Sequence, residues 1–134
     1  MSTAEATQNK RILEHAYARA SQGDGSALLA ALADNAEWTI IGTTALSGVY
    51  RGKKEIVERL FGNLRTRLVG PVVFAPQRFI AEGDVVVMQA RGQATAKSGK
   101  PYNNVYCIVA RFENGRIVEM TDYIDTELIT SALD

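Results

Sequence analysis

The sequence predicts an α+β domain in which three helices pack on one face of a twisted, mostly antiparallel sheet. Three observations predict it. Most apolar residues before Gly70 recur at helical spacing. Beyond Gly70 the period falls to two and β-branched residues dominate. The period-two segments are separated by EGD, KSGKP and ENG, whose Gly, Asp, Asn and Pro supply turn chemistry. Helices followed by an antiparallel meander give two layers around one core.

Taken in order, Ile12, Leu13, Ala16, Tyr17 and Ala20 form one stripe between Thr7 and Ser21, and QGDG ends this first helix. SALLAALAD gives a short second helix with Ser26 as its N-cap and Leu28, Leu29 and Leu32 turned inward. AEWTIIG reads as a strand, and the stretch holding Gly48 and Gly52 as a turn. KKEIVERLFGNLRTRL repeats Ile56, Val57, Leu60, Phe61, Leu64 and Leu68 at helical spacing, making the third helix. Four strands follow: VVFAPQRFI, DVVVMQARGQATA, YNNVYCIVARF and RIVEMTDYID. With no repeat, low-complexity tract or linker, residues 1–134 are read as one domain whose first six residues or so, 1–6, are expected to be disordered.

Composition excludes several classes of function. A chain of 134 residues, 46% hydrophobic, can bury enough surface to need no staple. Its 15 basic residues cancel its 15 acidic ones, so no phosphate-seeking field points to nucleic acid. Cys107 stands alone inside VYCIVARF, which rules out a disulfide within the chain and suits a buried, inert thiol in a reducing cytoplasm. No apolar window reaches the ~18 residues of a membrane span, and the first ten residues have no signal-peptide core. A soluble cytoplasmic protein is expected. With His15 and Cys107 the only residues of their kinds, an imidazole or thiolate metal cluster is excluded, and nothing calls for a metal or other cofactor.

The strands carry the candidate site. In YNNVYCIVARF one row is Tyr106, Ile108, Ala110 and Phe112, the other Val105, Cys107 and Val109, and a strand apolar on both rows needs two covers. Helices supply one; a second copy of the chain, forming a homodimer through the sheet, is expected to supply the other. In EMTDYIDT, Asp122 shares a row with Val118, Met120 and Ile124. Two readings stay open: an ionisable group lowered into a pocket, or an Asp held by backbone N–H groups or by Arg91. Glu119 and Asp125 fall on the opposite row, facing solvent or ending the strand. Arg91 shares its row with Gln89 and Gln93, a stripe that is either a polar cavity wall or a wetted outer face. Trp38 is core or cavity wall, and Tyr106 and Asn104 share a face with Ile108, where a phenol could donate to a carbonyl or be satisfied by the chain.

Three motifs, SQGDGSALLAALADNAEW, VYRGKKEIVERL and PYNNVYCIVARFENGRIVEMTDYIDT, give the chain a resemblance, over nearly its whole length, to the SnoaL-like proteins of the nuclear-transport-factor-two-like superfamily. That group includes polyketide cyclases, ketosteroid isomerases and limonene-epoxide hydrolases. The resemblance implies a cone: a strongly curved sheet wraps a long helix, leaves an apolar cavity, and often dimerises through the sheet. It places Tyr17, Trp38, Ile40, Ile56, Leu60, Val87, Arg91, Tyr106, Ile108 and Asp122 on that cavity, with Gln89, Gln93, Asn104 and Met120 as further substrate contacts.

Carried over residue by residue, the ketosteroid isomerase base falls at Ile40, its acid at Ile108 and its helix tyrosine near Ala16, so steroid isomerisation is not expected. The epoxide hydrolase pattern keeps an acid at Asp122 and the arginine at Arg91, but Gln93 replaces its second acid, and a Gln cannot take a proton from water. The polyketide cyclases rely on an acid in the final strand, again Asp122. The resemblance thus implies a cofactor-independent enzyme acting on a small apolar, cyclic carbonyl metabolite. Asp122 would abstract a proton while Arg91 or Tyr106 steadies the oxyanion. The alternatives are a non-catalytic small-molecule binding protein using the same cavity, and an epoxide hydrolase-like activity.

Overall fold

The computed structural model describes residues 3–134. Helix α1 (Thr3–Ala20) and the short α2 (Ser26–Ala31) lead into β1 (Leu32–Ile40) and β2 (Gly48–Arg51). A continuous helical stretch follows, made of α3 (Lys53–Glu55), a π-helical turn (Ile56–Phe61) and α4 (Gly62–Arg67). Then come β3 (Leu68–Glu82), β4 (Val85–Ala96), β5 (Val105–Glu113), β6 (Arg116–Ile124) and a terminal helix α5 (Thr126–Leu133).

The strands form one six-stranded sheet in the order β2-β1-β6-β5-β4-β3. Every pairing is antiparallel except β1 with β6, which run parallel. The expected α+β class and the meander of the last four strands both hold, and the sheet curls without closing. Its concave side receives Leu13, Ala16 and Tyr17 of α1 and Ile56 and Leu60 of the third helical stretch, all buried. Each large side chain so buried contributes roughly 1.5–3 kcal/mol.

Four local readings change. The lead expected to be disordered over 1–6 is helical from Thr3, while positions 1 and 2 lie outside the described residues. Ser26 does not cap α2; Asp24 does the equivalent work, its Oδ1 accepting from the Ser26 amide at 3.0 Å and from the Ser26 hydroxyl at 2.6 Å. GVYR, read as turn, pairs with β1 as β2, Tyr50 opposite Trp38. TELITSAL forms α5, started by Asp125, whose side chain accepts from the Leu128 amide at 3.3 Å.

A bulge decides which side of β6 faces inward. Arg111 pairs with Glu119 but Phe112 pairs with Ile117, so Val118 is the extra residue. Ile117, not Val118, therefore joins Met120 and Asp122 on the buried side. On β4 the buried row is Val86, Met88, Ala90 and Ala96, which turns Val87, Gln89, Arg91 and Gln93 to the outer face. That outer face carries a continuous row across all six strands: Val49, Thr39, Thr121, Val109, Val87 and Ile80, each paired with the next.

Candidate active site

Asp122 sits at the middle of the sheet, paired with Ile40 on its parallel neighbour β1 and with Ile108 on its antiparallel neighbour β5. Its residue is 7% exposed. The indole Nε1 of Trp38 donates to its Oδ1 at 3.1 Å. Burial pushes the carboxyl up to about 7, and the Trp38 hydrogen bond, which favours the charged form, only partly offsets that effect. The two isoleucines flanking the carboxylate stand where the resemblance places the two acids of the ketosteroid isomerases.

Phenols surround it. Tyr17 from α1 is buried, and burial holds its hydroxyl well above the usual phenol value, with the charges of Asp122 and Tyr106 adding to the effect. Burial does the same to Tyr106, reinforced by Tyr102 and Asp122, and burial raises Tyr102 as well. Near neutrality these hydroxyls therefore keep their protons and serve as hydrogen-bond donors. Phe74 lies between two of them, edge-on to Tyr17 with centroids 4.9 Å apart and to Tyr106 at 5.0 Å. Phe61 meets Trp38 edge-on at 5.5 Å. Beyond Phe61 and Phe74 opens an apolar well of about 240 Å³, walled by Leu28, Leu64, Leu68 and Val72.

Of the residues read from the sequence, Tyr17, Trp38, Ile40, Ile56, Leu60, Ile108, Met120 and Asp122 are buried together in the core, and Tyr106 is half-buried beside them. Four are not brought to the site. Arg91, Gln89, Gln93 and Val87 belong to the outward row of β4, because alternation allows only one row to face the helices and the even-numbered row is the more apolar. Asn104 is buried but engaged by the chain: its Nδ2 donates to the Tyr102 hydroxyl and the Asp125 carbonyl, and its Oδ1 accepts from the amides of Val105 and Asp125. Phe74 and Tyr102 were missed. Both carried a signal: Phe74 alternates with Val72 on the inward row of β3, and Tyr102, which precedes β5, falls on the row of Asn104, Tyr106 and Ile108 when YNNVYCIVARF is read as one strand.

The arrangement provides a carboxyl that can exchange a proton near neutrality, beside neutral donors and apolar walls. Among the described residues no group of His, Cys, Asp and Glu is placed to hold a metal ion. No helix among them is long and apolar enough to cross a membrane.

Comparison with known proteins places this geometry in a family. The family model described as a SnoaL-like domain matches residues 13–120. Among solved structures, an NTF2-like protein of unknown function from Burkholderia pseudomallei is 27% identical, with a TM-score of 0.86 over 99% of this chain and 98% of that one. An NTF2-like protein from Burkholderia thailandensis is 28% identical, with a TM-score of 0.83 over 94% and 97%. Bal32a, from a soil-derived mobile gene cassette, is 25% identical, with a TM-score of 0.87 over 97% and 99%. No curated protein matches. A family model spanning most of the sequence, and a fold shared end to end with these structures, agree: the chain belongs to the SnoaL-like domain family of the NTF2-like superfamily.

Proposed function

We propose that the protein catalyses proton abstraction next to the carbonyl of a small apolar cyclic metabolite, leading to isomerisation or cyclisation without a metal or nucleotide cofactor. The observation that carries this reading is Asp122: a buried carboxyl raised to about 7 whose hydrogen bond from Trp38 leaves its second oxygen for a substrate proton. Tyr106 and Tyr17 are the donors for the developing oxyanion. Arg91, on the opposite face of the sheet, has no part. The same fact removes the arginine an epoxide hydrolase-like mechanism would require.

The test needs no native substrate. Small cyclic ketones are incubated with the protein in deuterated buffer and loss of their α-protons is followed by NMR. Wild type is expected to accelerate exchange, and Asp122→Asn to lose that acceleration by ~100-fold or more. Equal exchange by the two proteins would remove Asp122 as base.

A second reading, a binding protein in which Asp122 only orients an apolar ligand, is favoured by Ile40 and Ile108, which leave a single acid on the site. Under it, ligands carried through native purification would be recovered unchanged after long incubation.

For the partner, we propose a homodimer through the outer face of the sheet, where Val49 and Ile80 end the row of β-branched residues and are 37% and 51% exposed. Sedimentation should give a dimer for wild type and a monomer for Val109→Glu; a monomeric wild type would refute it.

A further inference from the structure

The apolar well beside Phe61 and Phe74 has a mouth of one sign. Among the described residues, Arg65 is the only charged one on the well itself. The adjoining groove of about 580 Å³ shares Arg65, Leu68, Gly70 and Pro71 with it and adds Lys97, again without an acid. The neighbouring arginines are spoken for: Arg59 pairs with Glu55, while Arg67 meets Asp134 and the Leu133 carbonyl. Among the described residues, neither Arg65 nor Lys97 makes an ion pair. Two unpaired cations over an apolar hole complement a molecule with an oily body and one negative end.

We propose that this well binds the apolar ring system of a small organic monoacid, with its carboxylate held at the mouth by Arg65 and Lys97. The inference deepens the proposed function by naming the substrate class, and it rests on that reading for the role of Asp122. The polarity of binding follows from the site. Phe61 and Phe74 line the well and also pack edge-on against Trp38, Tyr17 and Tyr106, the residues around Asp122. A ligand lowered ring-first points its apolar body at the two phenylalanines that pack on the residues around Asp122, while its charge stays outside with the cations. Reversed, the ligand would bury its carboxylate among apolar walls and leave both cations unused.

The test compares 2-naphthoate with 2-naphthamide, equal in shape and different in charge, by calorimetric titration. The acid is expected to bind wild type about ten-fold more tightly than the amide, the value of a charge-assisted contact at a partly solvated mouth. Arg65→Gln with Lys97→Gln, both at surface positions, should reduce that ratio to about two-fold or less. Leu64→Trp, which fills the well, should abolish binding of both probes while the thermal unfolding midpoint stays near that of wild type. Equal binding of acid and amide, an acid preference that survives loss of both cations, binding unaffected by Leu64→Trp, or no binding of either probe would each overturn the inference. All of these are binding readouts, so they fail or succeed separately from the deuterium exchange that judges Asp122 as a base.

Discussion

Trp38 and Asp122 stand 84 positions apart in sequence, yet the indole nitrogen of one donates to the carboxylate of the other at 3.1 Å. The parallel pairing of β1 and β6 makes this possible. Asp122 pairs with Ile40, two residues beyond Trp38, so both side chains rise from the same face of neighbouring strands. Burial makes the carboxylate costly, and the indole N–H recovers part of that cost.

Replacing Trp38 with Phe keeps an aromatic ring against Phe61 but removes the donor. The Asp122 carboxyl is then expected to titrate above its present value of about 7, because the interaction that favoured the charged form is gone. Above that pH the variant should lose about 1–3 kcal/mol of stability, the usual cost of stranding a buried acceptor. Carboxyl carbon shifts followed by NMR across pH check the first part. A titration midpoint unchanged or lowered would show that the hydrogen bond does not tune the acid.

The Asn104 amide makes four hydrogen bonds, and the two to Asp125, the residue that caps α5, tie the start of β5 to the end of β6. Asn104→Ala should therefore cost roughly 1–3 kcal/mol by denaturant unfolding, since it strands part-buried backbone groups and the buried Tyr102 hydroxyl. It should also speed amide exchange in α5 more than in α1. If α5 exchanges as in wild type, the clamp has no such role.

These two residues also show how far the sequence could be read. Asp122 was legible because a carboxylate in a strand row of apolar residues is a local anomaly, visible without partners. Trp38 was legible as an aromatic side chain, but its bond to Asp122 depends on a parallel pairing that no local pattern encodes. Asn104 lies on the expected face and does something else there, because Asp125, which takes two of its four bonds, reaches it only when β5 and β6 are adjacent. Arg91 was placed inward on the strength of resemblance. The alternation of Val86, Met88 and Ala90 on the other row of β4 already argued against that placement. Helix α5 was missed although DTEL offers an N-cap Asp with Glu in the first turn, a signal hidden by reading Asp125 as the end of a strand.

Gly92 lies on the inward row of β4 with no room beside it. A Cβ there would stand 2.7 Å from Cε1 of Tyr106 and 3.0 Å from Cγ1 of Val72. Gly92→Ala is expected to displace the Tyr106 ring and cost about 1–3 kcal/mol as overpacking. Combining it with Tyr106→Ala should cost less than the sum of the two single changes, because the second removes the atom the first collides with. Additive costs in denaturant unfolding would mean that the methyl is accommodated elsewhere.

Asp122→Asn makes the sharpest prediction, in its pH dependence. The folded carboxyl is raised from 3.8 to about 7, so the native state holds its proton over a range in which the unfolded chain has already released it. The stability contributed by the protonated group is thus fully present below pH 4 and is lost progressively as pH climbs through about 7. A rise of this size corresponds to roughly 4 kcal/mol. Asn resembles the protonated acid in shape and cannot ionise, so it should be close to wild type in stability near pH 4. It should then gain on wild type steadily up to pH 8. Denaturant midpoints of both proteins at each pH unit give the comparison. An Asn variant that instead loses ground to wild type on going from acid to neutral pH would mean that the carboxylate is stabilised in the fold, and that Asp122 is a structural anchor and not a buried base.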